Sequence, residues 1–179
     1  MKKLCIFCGS ASGNTVAYRE LARAVGVLLA KNNIGLVYGG ATIGVMGAVA
    51  DAVLENGGVV IGVIPKTLVD YEIAHKGLTE LHIVEDMHQR KKLMYESSDA
   101  FLSLPGGMGT LDEMFEILTW SQLKLHSKPC FIYNFQGFYD SLLAFLNHAN
   151  AEGFIKGEHL SLLKEVKDEE SLVSVIHTL

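Results

Sequence analysis

The chain has 179 residues, nearly half of them apolar, with 18 glycines and a formal net charge of −5. That length and composition fit one compact domain with a large core and many tight turns, and exclude long disordered tracts. The acidic balance excludes a global positive field for nucleic acid, so any recognition of phosphate must be local.

The opening stretch Met1–Gly9 has too few apolar residues for the core of a signal peptide. No segment approaches the roughly 20 apolar residues of a membrane span, so the cytoplasm is the expected compartment. Leu4–Cys8 reads as a strand. Cys5 and Cys8 have C-x-x-C spacing within it, but residues three apart on a strand face opposite ways. They read as buried small apolar side chains in preference to a redox or zinc pair. With Cys130 the cysteine count is three, and an odd number argues against a disulfide framework.

Val16–Lys31 then reads as an amphipathic helix, Gly35–Tyr38 as a strand, Val45–Glu55 as a helix and Val59–Ile64 as a strand ended by Pro65. Lys66–Thr79 is the long irregular stretch. It carries Asp70, Tyr71, Glu72 and His75, and loops of this kind often hold function. Leu81–Val84 is a short strand. Met87–Glu96 is a charged helix with an apolar stripe at Met87, the stem of Lys91, Met94 and Tyr95. Ala100–Leu104 is a buried strand stopped by Pro105. Leu111–Leu123 is helical, Cys130–Tyr133 a strand and Phe138–Ala151 a helix. Glu165–Lys167 is a weak strand and Glu169–Thr178 a last helix. This alternation predicts an α/β domain in which a parallel sheet, its strands apolar throughout, is covered by helices on both faces.

In such sheets ligands bind beyond the carboxyl ends of the strands. Three glycine-rich loops are expected there: Gly9–Gly13, Gly39–Gly47 and Pro105–Thr110. The third is the most informative. Pro105 stops a strand, Gly106, Gly107 and Gly109 permit a tight turn, and a helix from about Thr110 offers its first amides and the positive end of its dipole. Together these make an anion site without a lysine. Thr110 could cap that helix or reach a phosphate oxygen. On glycine content alone, an ordinary strand-to-helix turn is the competing reading. The second loop lacks the G-x-G-x-x-G spelling and a well-placed acid for a ribose diol, which weakens a dinucleotide site. It is expected to close over the ligand.

Acids follow the third loop at once. Asp112 is accounted for by the helix dipole alone. Glu113 and Glu116 share a face of a largely apolar helix, where two carboxylates are costly unless paired or in use. The nearest basic cluster is Arg90-Lys91-Lys92. By itself it reads as a solvated helix face, but Arg90 lies near the start of its helix and so reaches the carboxyl edge of the sheet. His88 reads as a surface histidine. A carboxylate beside a sugar C1′ can stabilise an oxocarbenium-like transition state and orient water, while a guanidinium holds phosphate or sugar oxygens. The histidines have no ligand-like spacing, and no metal or cofactor is called for.

Met87-His88-Gln89-Arg90-Lys91-Lys92 followed by Pro105-Gly106-Gly107-Met108-Gly109-Thr110-Leu111-Asp112-Glu113 resembles the Lonely Guy family of cytokinin riboside 5′-monophosphate phosphoribohydrolases, often labelled lysine decarboxylases. The resemblance runs from Cys8-Gly9-Ser10 through Gly39-Gly40 and Glu72-Ile73-Ala74-His75 to Phe154. It implies a single-domain Rossmann-like fold and a homodimer with sites near the interface. It also implies hydrolysis of AMP, plain or N6-substituted, to the free base and ribose 5-phosphate. Arg90 and Glu113 are the implied catalytic pair. Glu72, Arg90, Lys91, Gly107, Met108, Gly109, Thr110, Leu111, Asp112, Glu113 and Thr119 are the implied substrate contacts, with Glu116 added from its shared helix face. Asp112 stands where many members have Glu. Two other readings compete: a pyridoxal phosphate decarboxylase, for which Lys91 and Lys92 beside Arg90 are poor Schiff-base candidates, and a non-catalytic nucleotide or cofactor carrier on the same fold, which would not need the acid.

Overall fold

The computed structural model describes residues 1–69, 71 and 73–179. Seven strands, all parallel, form one sheet: β1 (Lys3–Phe7), β2 (Gly35–Tyr38), β3 (Val60–Pro65), β4 (Glu80–Val84), β5 (Ala100–Ser103), β6 (Cys130–Tyr133) and β7 (Leu163–Val166). Their spatial order is β4-β3-β2-β1-β5-β6-β7. The chain therefore winds outward one way from β1 and then returns to build outward from β5. The crevice between the carboxyl ends of β1 and β5 is the switch point at which this architecture binds ligands.

The helices are α1 (Ala17–Lys31), α2 (Gly44–Glu55), α3 (Met87–Glu96), α4 (Met108–Gln122), α5 (Asp140–Ala151), the single turn α6 (Gly157–Leu160) and α7 (Glu169–Thr178). One apolar cluster joins α1, α2 and α7 to one face of the sheet through Leu21, Val25, Leu29, Val49, Leu172 and Ile176. A second joins α3 and α4 to the other face through Met94, Met114 and Ile117. Cys5 belongs to the second cluster and Cys8 to the first, as opposite strand faces require. All three thiols are buried. Burial pushes the Cys130 thiol up to about 12. Burial, with the Glu113 charge nearby, also raises Cys8, while Arg90 pulls the other way. Among the described residues no helix is long and apolar enough to cross a membrane.

Several boundaries differ from the sequence reading for physical reasons. Helix α4 begins at Met108, with Gly107 as its N-cap residue, two positions before Thr110; Thr110 is buried in the first turn and is not the cap. Helix α5 starts only at Asp140, because Phe135–Gly137 forms a separate 3₁₀ turn with Gln136 at positive φ. On α3 the buried residues are Arg90 and Met94, while Met87 is exposed. An arginine replaces the expected methionine on that stripe because its donors serve the ends of two strands, as the site shows.

Candidate active site

The three loops meet at the switch point. Gly9 N–H donates to Pro105 O at 3.2 Å, tying the first loop to the third. The carbonyl of Gly9 accepts from Val45 N and Met46 N, and that of Ala11 also accepts from Val45 N. The first turn of α2 is thus plugged by main-chain carbonyls. The second loop packs against the first, where the sequence led us to expect a cover over the ligand; only Met46 from it reaches the cleft wall. Helix α4 is different: no side chain caps its first turn. Gly107 and Gly109 are exposed there, and a cleft of about 160 Å³ opens beside them. The loop before it is tightly set, since a Cβ on Gly106 would lie 2.1 Å from Thr110 Oγ1 and 2.8 Å from Gly9 N.

That cleft is lined by Cys8, Gly9 and Ser10 from the first loop, Met46 from α2, Met87 and Arg90 from α3, and Gly107, Met108, Gly109, Thr110 and Glu113 from the third loop and α4. Arg90 is only 5% exposed and Glu113 only 9%. Burial of such groups is expensive unless their polar atoms are engaged. Arg90 Nε donates to Val63 O in β3 at 3.2 Å, and Nη2 donates to Gly39 O beyond β2 at 3.0 Å. Nη1 lies 3.8 Å from Met87 Sδ. The guanidinium is therefore locked to the carboxyl ends of two strands. This close approach explains Gly39, where a Cβ would fall 2.2 Å from Arg90 Nη2.

Of the sequence candidates, Arg90, Gly107, Met108, Gly109, Thr110 and Glu113 line this one cleft. Lys91, Asp112 and Glu116 form a separate charged cluster bridging α3 to α4. Lys91 Nζ is 3.2 Å from Asp112 Oδ2 and 3.0 Å from Glu116 Oε2, with the Lys91 side chain 13% exposed. Burial alone would pull the Lys91 ammonium down, but Glu116 and Asp112 outweigh it and its pKa is raised. Glu113 and Glu116, grouped by the sequence, thus serve different neighbours. Leu111 packs against the core below α4. Thr119 lies about 15 Å along the helix from its first turn. Its Oγ1 donates to Phe115 O, and it lines an apolar groove with Leu118, Leu146 and Ile155. Glu72, like Asp70, lies outside the described residues. The residues that follow it in the chain are fastened to the second glycine loop by the Ala41–Ala74 bridge, by Thr42 N–H to Ile73 O and by His75 N–H to Gly40 O. His88 is exposed. Cys8 and Met87 are cleft residues that the sequence reading does not single out, and Met46 enters that reading only as a member of the second glycine loop. The spacing of Met87 one turn before Arg90 could have revealed it, whereas Met46 and Cys8 carry no such local signal.

Replacing Lys91 with Met should leave two carboxylates facing each other across one helical turn. The pair lies between the exposed and fully buried limits, so a loss of about 1–3 kcal/mol is expected. Urea unfolding measures it, and an unshifted midpoint would show that the bridge contributes nothing.

The family model described as "Possible lysine decarboxylase" matches residues 46–176. A cytokinin riboside 5′-monophosphate phosphoribohydrolase of Rhodococcoides fascians is 48% identical over 178 residues, covering 99% of this chain and 90% of that one. The chain belongs to the Lonely Guy family. An Arabidopsis thaliana member of this family is 47% identical over 172 residues, with 96% of this chain and 81% of the relative covered. Among solved structures, the molybdenum cofactor carrier protein of Chlamydomonas reinhardtii has a TM-score of 0.75 at 18% identity, covering 99% of this chain and 96% of that one. At that identity the likeness shows the shared fold alone. The decarboxylase wording fits the lysines poorly: in this Lonely Guy member Lys91 is held by two carboxylates, and Lys92, 70% exposed, lies 3.8 Å from Glu96.

Proposed function

We propose that this enzyme hydrolyses the N-glycosidic bond of a nucleoside 5′-monophosphate, AMP or its N6-substituted form, releasing the free base and ribose 5-phosphate. The observation that carries the reading is the convergence of a buried acid, Glu113, and a locked guanidinium, Arg90, on one cleft at the uncapped start of α4. The first amides of α4 and its dipole suit a 5′-phosphate. With the phosphate there, the ribose extends toward Glu113, whose carboxylate stabilises positive charge building at C1′ and orients the attacking water. The proton of that water and the electron pair of the breaking C1′–N bond both end on the departing base. Arg90 fixes the oxygens of the ribose phosphate beside the acid. A carrier would use the same phosphate seat but gains nothing from a buried carboxylate at the sugar.

The working unit in this reading is a homodimer. Thr119 stands apart from the cleft of its own chain, and a second copy can bring it to the neighbouring site. The exposed Phe145 and Phe154, the latter 88% accessible, would give such a pairing apolar area.

Incubation with AMP and with N6-isopentenyl-AMP should give free base and ribose 5-phosphate in equal amounts from at least one of them, with the protein running at about twice its 19.5 kDa chain mass. Binding of both nucleotides without release of base would establish the carrier reading instead.

A further inference from the structure

At the opposite edge of the sheet, beside the amino ends of β6 and β7, lies a cavity of about 500 Å³. This is within the usual size of small-molecule sites. Its wall carries Lys124, Lys128 and Lys164 and the hydroxyls of Ser121, Ser127 and Ser161, and no carboxylate. Three lysines around one concavity run against a chain whose net charge is −5, although the Lys128 ammonium itself is turned onto Tyr95. Lys124 and Lys164 have no carboxylate within ion-pair distance among the described residues. Lys128 is fixed in place: its Nζ donates to Tyr95 O at 2.7 Å and sits 4.1 Å from the centre of the Tyr95 ring. Burial lowers its pKa, opposed by the more distant charges of Asp99 and Glu96.

His126 also lines the cavity but is spent on the fold. Its Nδ1 accepts from Lys128 N–H, so Nε2 is the donor to Ile117 O. Lys124 is the informative residue. Its φ is +61°, a backbone conformation that glycine takes freely and lysine does not. The left-handed turn ends α4, with Lys124 N–H donating to Ser121 O and Leu125 N–H to Trp120 O, and it sets the Lys124 side chain on the cavity wall.

We propose that this cavity is a second anion site, separate from the nucleotide cleft, that takes a small phosphate compound bearing at least two negative charges. Lysines supply compact positive charge and the serine hydroxyls supply directional donors. An open concavity lined by lysines and serines, on a chain whose net charge is −5, suits a small anion and does not suit a nucleic-acid strand.

The test is a titration of the ¹⁵N-labelled full chain, at constant ionic strength, with inorganic pyrophosphate and, separately, with a sugar bisphosphate. Saturable amide shifts are expected at residues 121–129 and 161–164; which of the two probes binds tighter tells a free phosphate anion from a phosphorylated metabolite. The double variant Lys124→Gly/Lys164→Gln should bind roughly tenfold more weakly or worse. It should also keep AMP turnover, and Lys124→Gly alone should keep or raise the melting temperature by relieving the strained backbone. Shifts confined to residues 106–110, equal shifts from sodium chloride, undiminished binding by the double variant, or saturation only by a single-stranded oligonucleotide would each overturn the assignment.

Discussion

Glu113→Gln should abolish turnover while leaving nucleotide binding in place. The amide is isosteric with the carboxylate, so the cleft walls formed by Cys8, Met87 and Thr110 keep their positions. What changes is charge at the one point where the transition state becomes positive. Loss of a positioned group of this kind lowers rate by about 10²–10⁴-fold. In the proposed pose the phosphate sits on main-chain amides of α4 and is untouched, so calorimetric binding of AMP should stay near the wild-type affinity. If base release by the variant stays close to the wild-type rate, Glu113 has no part in the chemistry, and a different acid must be sought. If binding is lost along with rate, the residue supports the cleft instead of the reaction.

The parts of this arrangement that were legible in the sequence are those written in local pattern. The alternation of apolar runs with helical periods gave a parallel sheet, and Pro105 followed by glycines marked the loop at its switch point. The position of Arg90 one turn into its helix placed it at the correct edge. The illegible parts depend on partners distant in the chain. Nothing near Gly39 says that a guanidinium from position 90 will press on its Cα. Likewise, only the packed structure shows that Gly9 and Ala11 carbonyls close the start of α2 and so leave α4 as the open helix end. Helix α4 starts earlier than its propensities predict, because glycines at 107 and 109 are poor helix formers. A helix end whose amides face a cleft gains nothing from a side-chain cap there. Glu113 and Glu116 looked alike because spacing assigns residues to a face but not to a neighbour; Lys91 separates them.

The strand-end carbonyls give Arg90 a structural role beside its proposed functional one, and the two roles can be pulled apart. Arg90→Ala removes the donors to Val63 O and Gly39 O. Two buried carbonyls without partners cost about 1–3 kcal/mol each, so the melting temperature should fall by about 10 °C for a chain of this size. Base release should also fall by at least about 10²-fold. Arg90→Lys should recover part of the stability, since an ammonium can serve one carbonyl, but not the rate, since it cannot hold two carbonyls and present a fork to the substrate. Gly39→Ala then provides the decisive contrast. It leaves every functional group of Arg90 in the protein and forces displacements alone, chiefly of the guanidinium, because the new methyl would stand 2.2 Å from Nη2 and 2.9 Å from the flexible Met46 Sδ. Its φ is not in the left-handed region, so alanine introduces no backbone strain there. A drop in kcat/KM with this variant would show that the chemistry depends on where the guanidinium is held, and not merely on its presence. Wild-type kcat/KM in Gly39→Ala would mean that the lock on the strand ends serves stability alone, and that Arg90 can do its work from a looser position.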